Sequence, residues 1–441
     1  MPRVGKNVSM ETKARETRKR RFLFLQGPLS PLFRMIGERL EAAGHNVRRI
    51  NLCFGDWLHW RGHNTQAYRG RREDWAAFIS AFLDQNAITD LIVHGDRRFY
   101  HRVAIDAANA RSINVIACEL GYLRPGWMTI ERGGFSTLSH FPDDPAAIRE
   151  IAANTGTIDL RPQFPGRFAL EAWQDVSYHL ANVIGRPLYP FYRRHTPLHP
   201  FTDYSAWIIR LARSRRRRKK AQALERTLRA DNRSYFLLPL QIDGDYQLTA
   251  HSPYLSMRAA LEDMVSSFSR TAPNDVRLVV KSHPNDNGIT NWAKVIAELA
   301  DRYSLADRLL FLDGGRLDAL LCRAAGLVTV NSTAGLEALR AGCAVKPLVP
   351  ALYDIRGMTH GGSLESFWSA PEKPDTELVG AFVVAVAATL QARGSIHNTE
   401  GLKVAVEEMS RRILAGDLNE PGGYVDLPPR LERARRLGVP L

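Results

Sequence analysis

One polar segment has residues whose types and spacing suit chemistry on an anion. Lys281-Ser282-His283-Pro284 directly follows the apolar run Val276–Val280. This pattern is typical of a buried strand that ends at polar residues, and ligands of open α/β sheets bind at the carboxyl ends of strands. Lys281 and His283 are two residues apart, so on an extended chain they point to the same side. The segment therefore predicts a fixed cation beside a group that can donate a proton.

A second segment of the same kind lies about fifty residues further on. The apolar residues 326–330 run into Asn331-Ser332-Thr333, and a helical pattern follows. The hydroxyls of Ser332 and Thr333, together with a helix N-terminus, suit an anionic ligand. Glu337 is not at capping-box spacing from Ser332, so we predict that its carboxylate accepts hydrogen bonds from sugar hydroxyls. Together, the two segments predict a nucleotide-phosphate site.

The N-terminal half also has strand-like runs that end at polar residues. Gln26-Gly27 follows the run Arg21–Leu25, and a glycine there lets a ligand approach the backbone. The segment lacks the G-x-G-x-x-G fingerprint, which disfavours a Rossmann dinucleotide site. An ordinary strand–helix turn explains Gln26-Gly27 equally well.

Two carboxylates follow the next strand-like runs. Asp96 comes after Asp90–His94, and Glu119 comes after Asn114–Cys118. If these strands are parallel, both carboxylates lie at one sheet edge, where either could act as a base or a nucleophile. A salt bridge to a neighbouring arginine is the alternative for each.

The segment Gln241–Gln247 contains Asp243 and Asp245, a pair of carboxylates that could indicate a metal site. The spacing lacks the further oxygen ligands of a calcium loop, and turn chemistry explains Asp-Gly as well. We therefore predict no metal and no cofactor.

Strand-like and helical patterns alternate over most of the chain, which predicts an α/β fold with two Rossmann-like, doubly wound domains. Two such domains facing a cleft form the arrangement called GT-B among glycosyltransferases. The predicted boundaries are a basic tail (1–20), an N-terminal domain (21–150), a helical and basic connector (151–230), a C-terminal domain (231–395) and a helical tail (396–441).

Composition limits the classes of protein that fit. The chain has 441 residues, 45% hydrophobic and 24% charged, and a net charge of +14, so a globular protein with more than one core is expected. No apolar run reaches the ~18 residues of a membrane-spanning helix. The basic N-terminus lacks a secretory h-region, and the four cysteines lack C-x-x-C spacing, so we predict a cytoplasmic protein.

Much of the positive charge lies in two clusters, Lys13–Arg21 and Arg213–Lys220. A solvated helix face and an anionic membrane surface explain such clusters equally well. Trp207, Ile208 and Leu211 directly precede the second cluster, as apolar residues do in many peripheral membrane segments. Nucleic acid is disfavoured because no aromatic residues are interleaved with Arg213–Lys220 to stack bases.

Seven short motifs, in order between about residues 20 and 375, carry a resemblance to a known family. They are Gln26-Gly27-Pro28, Gly95-Asp96-Arg97 with His101, Glu119-x-Gly121-Tyr122-x-Arg124-Pro125, Pro239-Leu240-Gln241 with Asp245 and Gln247, Lys281-x-His283-Pro284, Asn331-Ser332-Thr333-x-Gly335, and Tyr353-Asp354-Ile355-x-Gly357-x-Thr359. The set resembles the capsule polysaccharide synthesis family, in particular its KpsS/LipB branch, which was formerly named for capsule export.

The resemblance implies a retaining glycosyltransferase that is peripheral on the cytoplasmic side of the inner membrane. It would move 3-deoxy-D-manno-octulosonic acid (Kdo) from CMP-β-Kdo to lysophosphatidylglycerol, starting the β-Kdo linker of a capsule, with other capsule-assembly proteins as further partners. Related proteins often carry acidic residues at both positions before the Gly-Tyr pair. Here the second position is Leu120, so Glu119 does not simply inherit the role of that second carboxylate.

On this reading, the candidate residues divide into two groups. Glu119, or failing it Asp96, acts on the anomeric carbon, and His283 donates a proton. Lys281 and the Ser332/Thr333 helix N-terminus hold the phosphate, Glu337 holds the ribose, and Arg97 and Arg124 pair with the Kdo carboxylate. The remaining expected binding residues are Pro284, Asn331, Gln241, Gln26 and Gly27.

Two alternatives stay open. A GT-B transferase that uses another CMP-linked acid, such as sialic acid, would have a similar nucleotide site. A non-catalytic scaffold of a capsule assembly would instead show no transfer with any donor.

Overall fold

The computed structural model describes residues 19–62, 64–194, 198–231 and 233–441. These residues form two compact units. The first contains the described residues of the ranges Met1–Phe141, Thr155–His195 and Val384–Asp426, and the second those of Pro142–Asn154, Thr196–Val383 and Leu427–Leu441. Residues 1–18 of the predicted basic tail lie outside the described residues.

The sheet of the first unit has a parallel core. Its strands are β1 (Arg21–Phe24), β2 (Asn46–Asn51), β3 (Thr65–Ala67), β4 (Asp90–His94), β5 (Asn114–Leu120), β6 (Trp127–Arg132) and β12 (Gln391–Arg393). Their order is β12-β6-β5-β4-β1-β2-β3. Strands β1 to β5 are parallel to one another. At one edge β6 pairs antiparallel with β5, and β12 pairs antiparallel with β6.

The sheet of the second unit repeats this parallel order. Its strands are β7 (Tyr235–Pro239), β8 (Arg277–Lys281), β9 (Leu309–Leu312), β10 (Gly326–Thr329) and β11 (Ala344–Pro347). They pair in parallel in the order β11-β10-β7-β8-β9. In each unit, the first strand therefore lies between the second and the fourth. The point where strand order reverses is where doubly wound folds bind ligands, and it lies between β1 and β4 in one unit and between β7 and β10 in the other.

Helices connect the strands. In the first unit they are α1 (Leu32–Ala42), α2 (Phe54–His59), α3 (Trp75–Gln85), α4 (Phe99–Asn109), α6 (Phe168–Ile184) and α16 (Thr399–Ala415). In the second they are α5 (Pro145–Asn154), α7 (Pro200–Ala212), α8 (Ser214–Ala230), α9 (Tyr246–Thr249), α10 (Met257–Thr271), α11 (Trp292–Arg302), α12 (Leu317–Leu321), α13 (Ala334–Arg340), α14 (Leu364–Ser369) and α17 (Leu431–Arg436). The ends of α15 (Thr376–Thr389) belong to different units.

Strand alternation explains the two cores of the first unit. Phe22 and Phe24 pack in one apolar cluster, whereas Leu23 and Leu25 pack in the cluster on the other face of the sheet. Such two-sided burial is why these strands read as continuous apolar runs. The predicted fold class, an α/β chain with two doubly wound parallel sheets, is confirmed.

The unit boundaries differ from the predicted domains. Segment 396–441 is no separate tail, because Met409 and Ile413 of α16 pack against Ile36 and Leu40 of α1 in the core of the first unit. The predicted connector 151–230 is likewise divided, with α6 in the first unit and α7 and α8 in the second. Apolar contacts between segments distant in sequence decide these memberships, and the local pattern does not encode them.

We expect Met409→Ala to destabilise the first unit by about 2–5 kcal/mol, because it removes a fully buried side chain from the α1–α16 contact. Urea unfolding followed by circular dichroism measures the loss. Lys403→Ala on the exposed face of the same helix is the matched control and should change stability by less than about 0.5 kcal/mol. Equal stability of the two variants would show that α16 is not part of this core.

Candidate functional site

Two buried amides meet where the strand order of the second sheet reverses. Gln241 follows β7 and Asn331 follows β10, and Gln241 Nε2 donates to Asn331 Oδ1 at 3.1 Å. Gln241 Oε1 accepts from the Asn331 backbone N–H at 3.3 Å, and Asn331 Nδ2 donates to the Gln247 carbonyl at 2.6 Å. The structure thus brings these two predicted residues together, and their bonds fix the loops on both sides of the reversal point.

Lys281 is the last residue of β8, next to this point, and only 5% of it is exposed. Burial lowers the pKa of its ammonium, while the charges of Glu225, Asp313 and Glu337 raise it in part. These three carboxylates supply counter-charge to the buried ammonium, and its Nζ also donates to the Ser282 carbonyl at 3.4 Å. Of these three carboxylates, only Glu337 was a predicted site residue.

A charge cluster that the sequence did not reveal borders Lys281. Asp313, which follows β9, accepts from Ser282 Oγ at 3.0 Å, from Arg210 Nη2 at 3.0 Å and from Arg217 Nε at 2.6 Å. Burial alone would raise the pKa of Asp313, but the hydrogen bond from Arg217 and the charges of both arginines hold it below its ordinary value. We call Ser282, Asp313, Arg210 and Arg217 the Asp313 cluster.

The Asp313 cluster changes the interpretation of the basic run Arg213–Lys220. Arg217 turns inward to Asp313, whereas Arg215, Arg216 and Arg218 are exposed. Helices α7 and α8, which only Arg213 separates, therefore face the edge of the second sheet through Arg210 and Arg217 and present their other side to solvent. Periodicity could have indicated that one residue of the run turns inward, but not which carboxylate it would meet.

The loop after Lys281 orients His283. His283 Nδ1 accepts from the Asn285 backbone N–H at 3.0 Å, so the neutral ring carries its proton on Nε2. The same loop is tied to α7, because Asn287 Nδ2 donates to Asp203 Oδ1 at 2.7 Å and Arg210 lies 3.7 Å from Asp286 Oδ1. His283 can thus present an N–H donor, as predicted for its role, while Pro284 is exposed on the loop.

The Asn331–Glu337 segment departs in part from the prediction. Ser332 Oγ accepts from the Ala334 backbone N–H at 3.2 Å, but Thr333 makes no side-chain cap bond. Helix α13 has only seven residues, so its dipole adds little to the positive charge of Lys281. Gly335 is required by packing, because a Cβ there would come 2.2 Å from Tyr353 Oη, which donates to the Ser332 carbonyl at 2.6 Å.

In the first unit, Gln26 follows β1 but is occupied by internal contacts. Its buried Nε2 lies 2.7 Å from Tyr178 Oη and 3.2 Å from Asp56 Oδ1, and its Oε1 accepts from Arg98 Nη1 at 3.2 Å. Gln26 therefore organises a polar network beneath the sheet edge. At the neighbouring Gly27, a Cβ would lie 3.0 Å from the Phe33 ring. This close packing fits an ordinary strand–helix turn, which was one of the two interpretations of Gln26-Gly27 from the sequence.

Glu119 stands beside the turn that ends β4. Its Oε1 lies 3.9 Å from His94 Nε2, and its side chain is 41% exposed. Burial lowers the pKa of His94 well below its ordinary value, so the imidazole is neutral beside this carboxylate. Gly95 separates Glu119 from Arg98: a Cβ on Gly95 would be 3.5 Å from Glu119 Oε2 and 3.6 Å from Arg98 Nε.

Asp96 and Arg97, two further predicted residues, are placed differently. Asp96 is buried, and its Oδ2 accepts from the Phe135 backbone N–H at 2.9 Å, which fixes the loop after β6. Burial lowers the pKa of Arg97, and the charge of Asp96 raises it in part. Arg98, rather than Arg97, is therefore the arginine found beside Glu119. Arg124 is exposed and its Nε donates to the Gly121 carbonyl at 2.9 Å.

The sequence analysis did not predict strand β6 or the buried carboxylate that this strand carries. Glu131 lies on β6 and accepts from Ser139 Oγ at 2.5 Å. Burial, and then the charge of Glu131, raise the pKa of Tyr122 well above its ordinary value. The sequence signal for β6 was weak, since the strand directly follows Pro125-Gly126, a pair typical of turns.

The Asp243 and Asp245 carboxylates serve as backbone acceptors. Asp243 accepts from the Met257 N–H at 2.7 Å, and Asp245 accepts from the Gln247 N–H at 2.9 Å at the start of α9. Within the residues that the structure describes, no group of three or more His, Cys, Asp or Glu side chains could hold a metal ion.

Comparison with known proteins identifies the family. A family model described as capsule polysaccharide biosynthesis protein matches residues 89–397, more than half of the chain. The chain belongs to this family. The predicted resemblance to its KpsS/LipB branch is also confirmed by curated relatives.

Among these capsule-family relatives is the capsule polysaccharide export protein KpsS of Escherichia coli. It is 32% identical over 366 residues, which cover 82% of this chain and 93% of the relative. The capsule polysaccharide modification protein LipB of Neisseria meningitidis serogroup A is 28% identical over 383 residues, covering 85% and 91%. Among solved structures, the β-Kdo 2,7 transferase of Thermosulfurimonas dismutans KpsC gives a TM-score of 0.40 at 15% identity, covering 89% of this chain and 99% of that one.

We expect Asp313→Asn to loosen the loop after Lys281, because the charge-assisted bonds from Arg210 and Arg217 are lost. Hydrogen–deuterium exchange should show faster exchange over residues 282–290, and the free energy of unfolding should fall by about 1–3 kcal/mol. Asp307→Asn, at an exposed carboxylate nearby, is the matched control. Unchanged exchange in the Asp313 variant would mean that the cluster does not hold the loop.

We expect the free energy of unfolding to fall as the pH drops from about 6.5 towards 5, because His101 is then protonated in the unfolded chain but stays neutral in the folded protein. Burial lowers the pKa of His101 to about 3, its Nδ1 lies 2.7 Å from the Gly95 carbonyl, and its buried Nε2 lacks a hydrogen-bond partner in the described structure. Above about pH 6.5 the ring is neutral in both states and this loss is absent.

Thermal unfolding at pH values from 8 to 5 measures the effect. His101→Asn should lower the midpoint at pH 8 but flatten its dependence on pH, whereas His199→Asn, at an exposed histidine, should leave the dependence unchanged. An unaltered slope in the His101 variant would contradict this assignment.

Proposed function

We propose that this protein is a retaining glycosyltransferase that moves Kdo from CMP-β-Kdo to a lysophosphatidylglycerol or phosphatidylglycerol acceptor. The observation that supports it most is the buried Lys281 at the carboxyl edge of the second sheet, followed by a histidine whose Nε2 carries the proton. Membership of the capsule polysaccharide biosynthesis family makes a capsule sugar the expected cargo.

In the proposed reaction, the bond between the anomeric carbon of Kdo and the phosphate oxygen of CMP breaks. CMP leaves as a phosphate monoester, so charge grows on its phosphate. Lys281 stabilises that charge, the His283 Nε2–H donates a hydrogen bond to the phosphate, and Ser332 and Thr333 line the same edge. Asn331, Gln241 and Pro284 shape the loops, and Glu337 holds the ribose. The acceptor hydroxyl forms the new bond to the anomeric carbon, and its proton passes to the phosphate of the departed CMP.

Glu119 is the proposed carboxylate for the anomeric carbon. Retention of configuration is accounted for if Glu119 first forms and then releases a bond to that carbon. Its partly exposed position next to Arg98 supports this role, whereas the backbone bond of Asp96 argues for a structural one. Arg98 is accordingly added to Arg124 as a candidate partner of the Kdo carboxylate, in place of Arg97.

The proposal includes a peripheral position on the cytoplasmic side of the inner membrane. In the described part of the chain, no helix has the length and apolar character needed to cross a bilayer. The exposed side chains of Arg213–Lys220 would contact anionic lipid, and Arg217 is set aside for Asp313.

The test is a transfer assay with CMP-Kdo generated in situ and a fluorescent lysophosphatidylglycerol, with the product mass measured by mass spectrometry. We expect a product heavier by one Kdo, formed equally well with EDTA. Lys281→Ala and His283→Ala should each lower the rate by about 10²-fold or more, as expected on losing a donor that stabilises the charge on the leaving phosphate. Lys294→Ala, at an exposed lysine, should not change it.

Other outcomes separate the alternatives. Product only with CMP-sialate would indicate a transferase for another CMP-linked acid. No product with any donor, from protein that is folded and still recovers capsule-assembly proteins in pull-downs, would support a scaffold. Full activity of the His283 variant would remove His283 from the mechanism.

A further inference from the structure

Helix α6 in the first unit has an apolar face that the protein leaves uncovered. The opposite face packs inward through Gln174, Tyr178 and Ala181, which are buried. Trp173 and Ile184, in contrast, are 70% and 66% exposed. A helix that hides its polar glutamine and shows its tryptophan to water reverses the usual surface pattern.

The exposed apolar residues of α6 form one continuous stripe. Trp173, Val176, Leu180, Val183 and Ile184 recur at intervals of three and four residues, which places them on one side of a helix. From first to last they span about 16 Å at 1.5 Å per residue. A contiguous exposed patch of this kind marks an interaction surface, unlike single exposed apolar residues. We call these five residues the α6 stripe.

Apolar exposure continues beyond the helix end into a basic region. Phe191 is exposed, and the Arg71 guanidinium stands 4.9 Å from the centroid of its ring. Arg69 lies 5.9 Å from the ring centroid of Tyr189, and both Arg186 and Arg193 are exposed. Arg71 thus stands beside an exposed ring and Arg69 beside the buried ring of Tyr189, so this end of α6 combines exposed apolar surface with positive charge.

The acidic groups nearby are fewer than the arginines. Glu73 and Asp74 are exposed next to Arg69, Arg71 and Arg72, the exposed Glu171 lies in the first turn of α6, and Asp175 lies 3.5 Å from His179 on the flank of α6. The occupant of the surface must accept apolar side chains and carry negative charge. A second copy of this chain carries +14 as well and would be repelled, whereas an anionic bilayer surface meets both requirements.

We propose that the α6 stripe inserts into the surface of an anionic phospholipid bilayer, with Arg69, Arg71, Arg186 and Arg193 at the headgroups. This gives the first unit a lipid contact of its own, separate from Arg213–Lys220. The inference deepens the proposed function, on which it rests for the identity of the membrane. Lipid binding is measured without any transfer, so the two proposals can fail independently.

The experiment is co-sedimentation of the full chain with vesicles of phosphatidylglycerol and phosphatidylcholine at 3:1, compared with phosphatidylcholine alone. The variant Leu180→Ser with Ile184→Ser should bind the anionic vesicles about tenfold more weakly than the natural protein. The matched control, Leu255→Ser with Leu427→Ser, removes two exposed leucines elsewhere and should bind normally. Arg71→Gln with Arg186→Gln should reduce the preference for the anionic vesicles.

Insertion is measured by quenching of tryptophan fluorescence with brominated lipid. We expect quenching that falls clearly in Trp173→Phe, since Trp173 is the tryptophan in the stripe. Normal vesicle binding by the stripe variant, or unchanged quenching in Trp173→Phe, would overturn the proposal. Light scattering gives a further test. If the natural protein is an oligomer and the stripe variant is a monomer, a second copy covers the stripe and the proposal is overturned.

If the natural protein binds vesicles through the stripe but transfers no Kdo, the proposed function fails and this inference stands. If transfer to a short-chain, water-soluble acceptor proceeds and the stripe variant still binds vesicles normally, this inference fails and the proposed function stands.

Discussion

The desolvation of Lys281 is the constraint on which the second unit depends. A lysine with 5% exposure at the end of a central strand is tolerated only where counter-charges surround it. Glu225, Asp313 and Glu337 supply that charge from helix α8, the loop after β9 and helix α13. Asp313 in turn requires Arg210 and Arg217, which join helices α7 and α8 to the sheet edge. One buried cation thereby determines what three segments distant in sequence must provide.

The first unit handles charge in another way. His94 and His101 lie under the same sheet edge as Glu119, and burial keeps both rings neutral at ordinary pH. Near these rings, Glu119 lies close to the surface and Asp96 is bound to a backbone N–H, while the buried Asp56 pairs with Arg49. The two units share a strand order yet offer different electrostatic surroundings, a buried ammonium among carboxylates in one and neutral imidazoles beside a partly exposed carboxylate in the other.

Much of the architecture could be predicted from the sequence, because parallel strands buried on both faces leave apolar runs with polar ends. The predicted residues Gln241 and Asn331 are indeed at such ends. Their mutual hydrogen bond could not be predicted, since it requires β10 to lie beside β7 although 90 residues separate the two side chains. The pairing of Asp313 with Arg217 was hidden for the same reason, because 96 residues separate them. Choosing Arg98 over Arg97 required knowing how the turn after β4 orients each side chain, which residue type does not specify.

The way the first unit is closed has a consequence for how the protein is made. Strand β12 covers the outer edge of β6, and α16 covers the apolar side chains of α1, yet both come from residues after 390. A growing chain on the ribosome therefore carries an incomplete N-terminal sheet, with an open strand edge and bare apolar surface, until residues 391–415 have been synthesised. Termination before residue 391 would leave an aggregation-prone fragment, so β12 and α16 decide whether the preceding sheet becomes soluble.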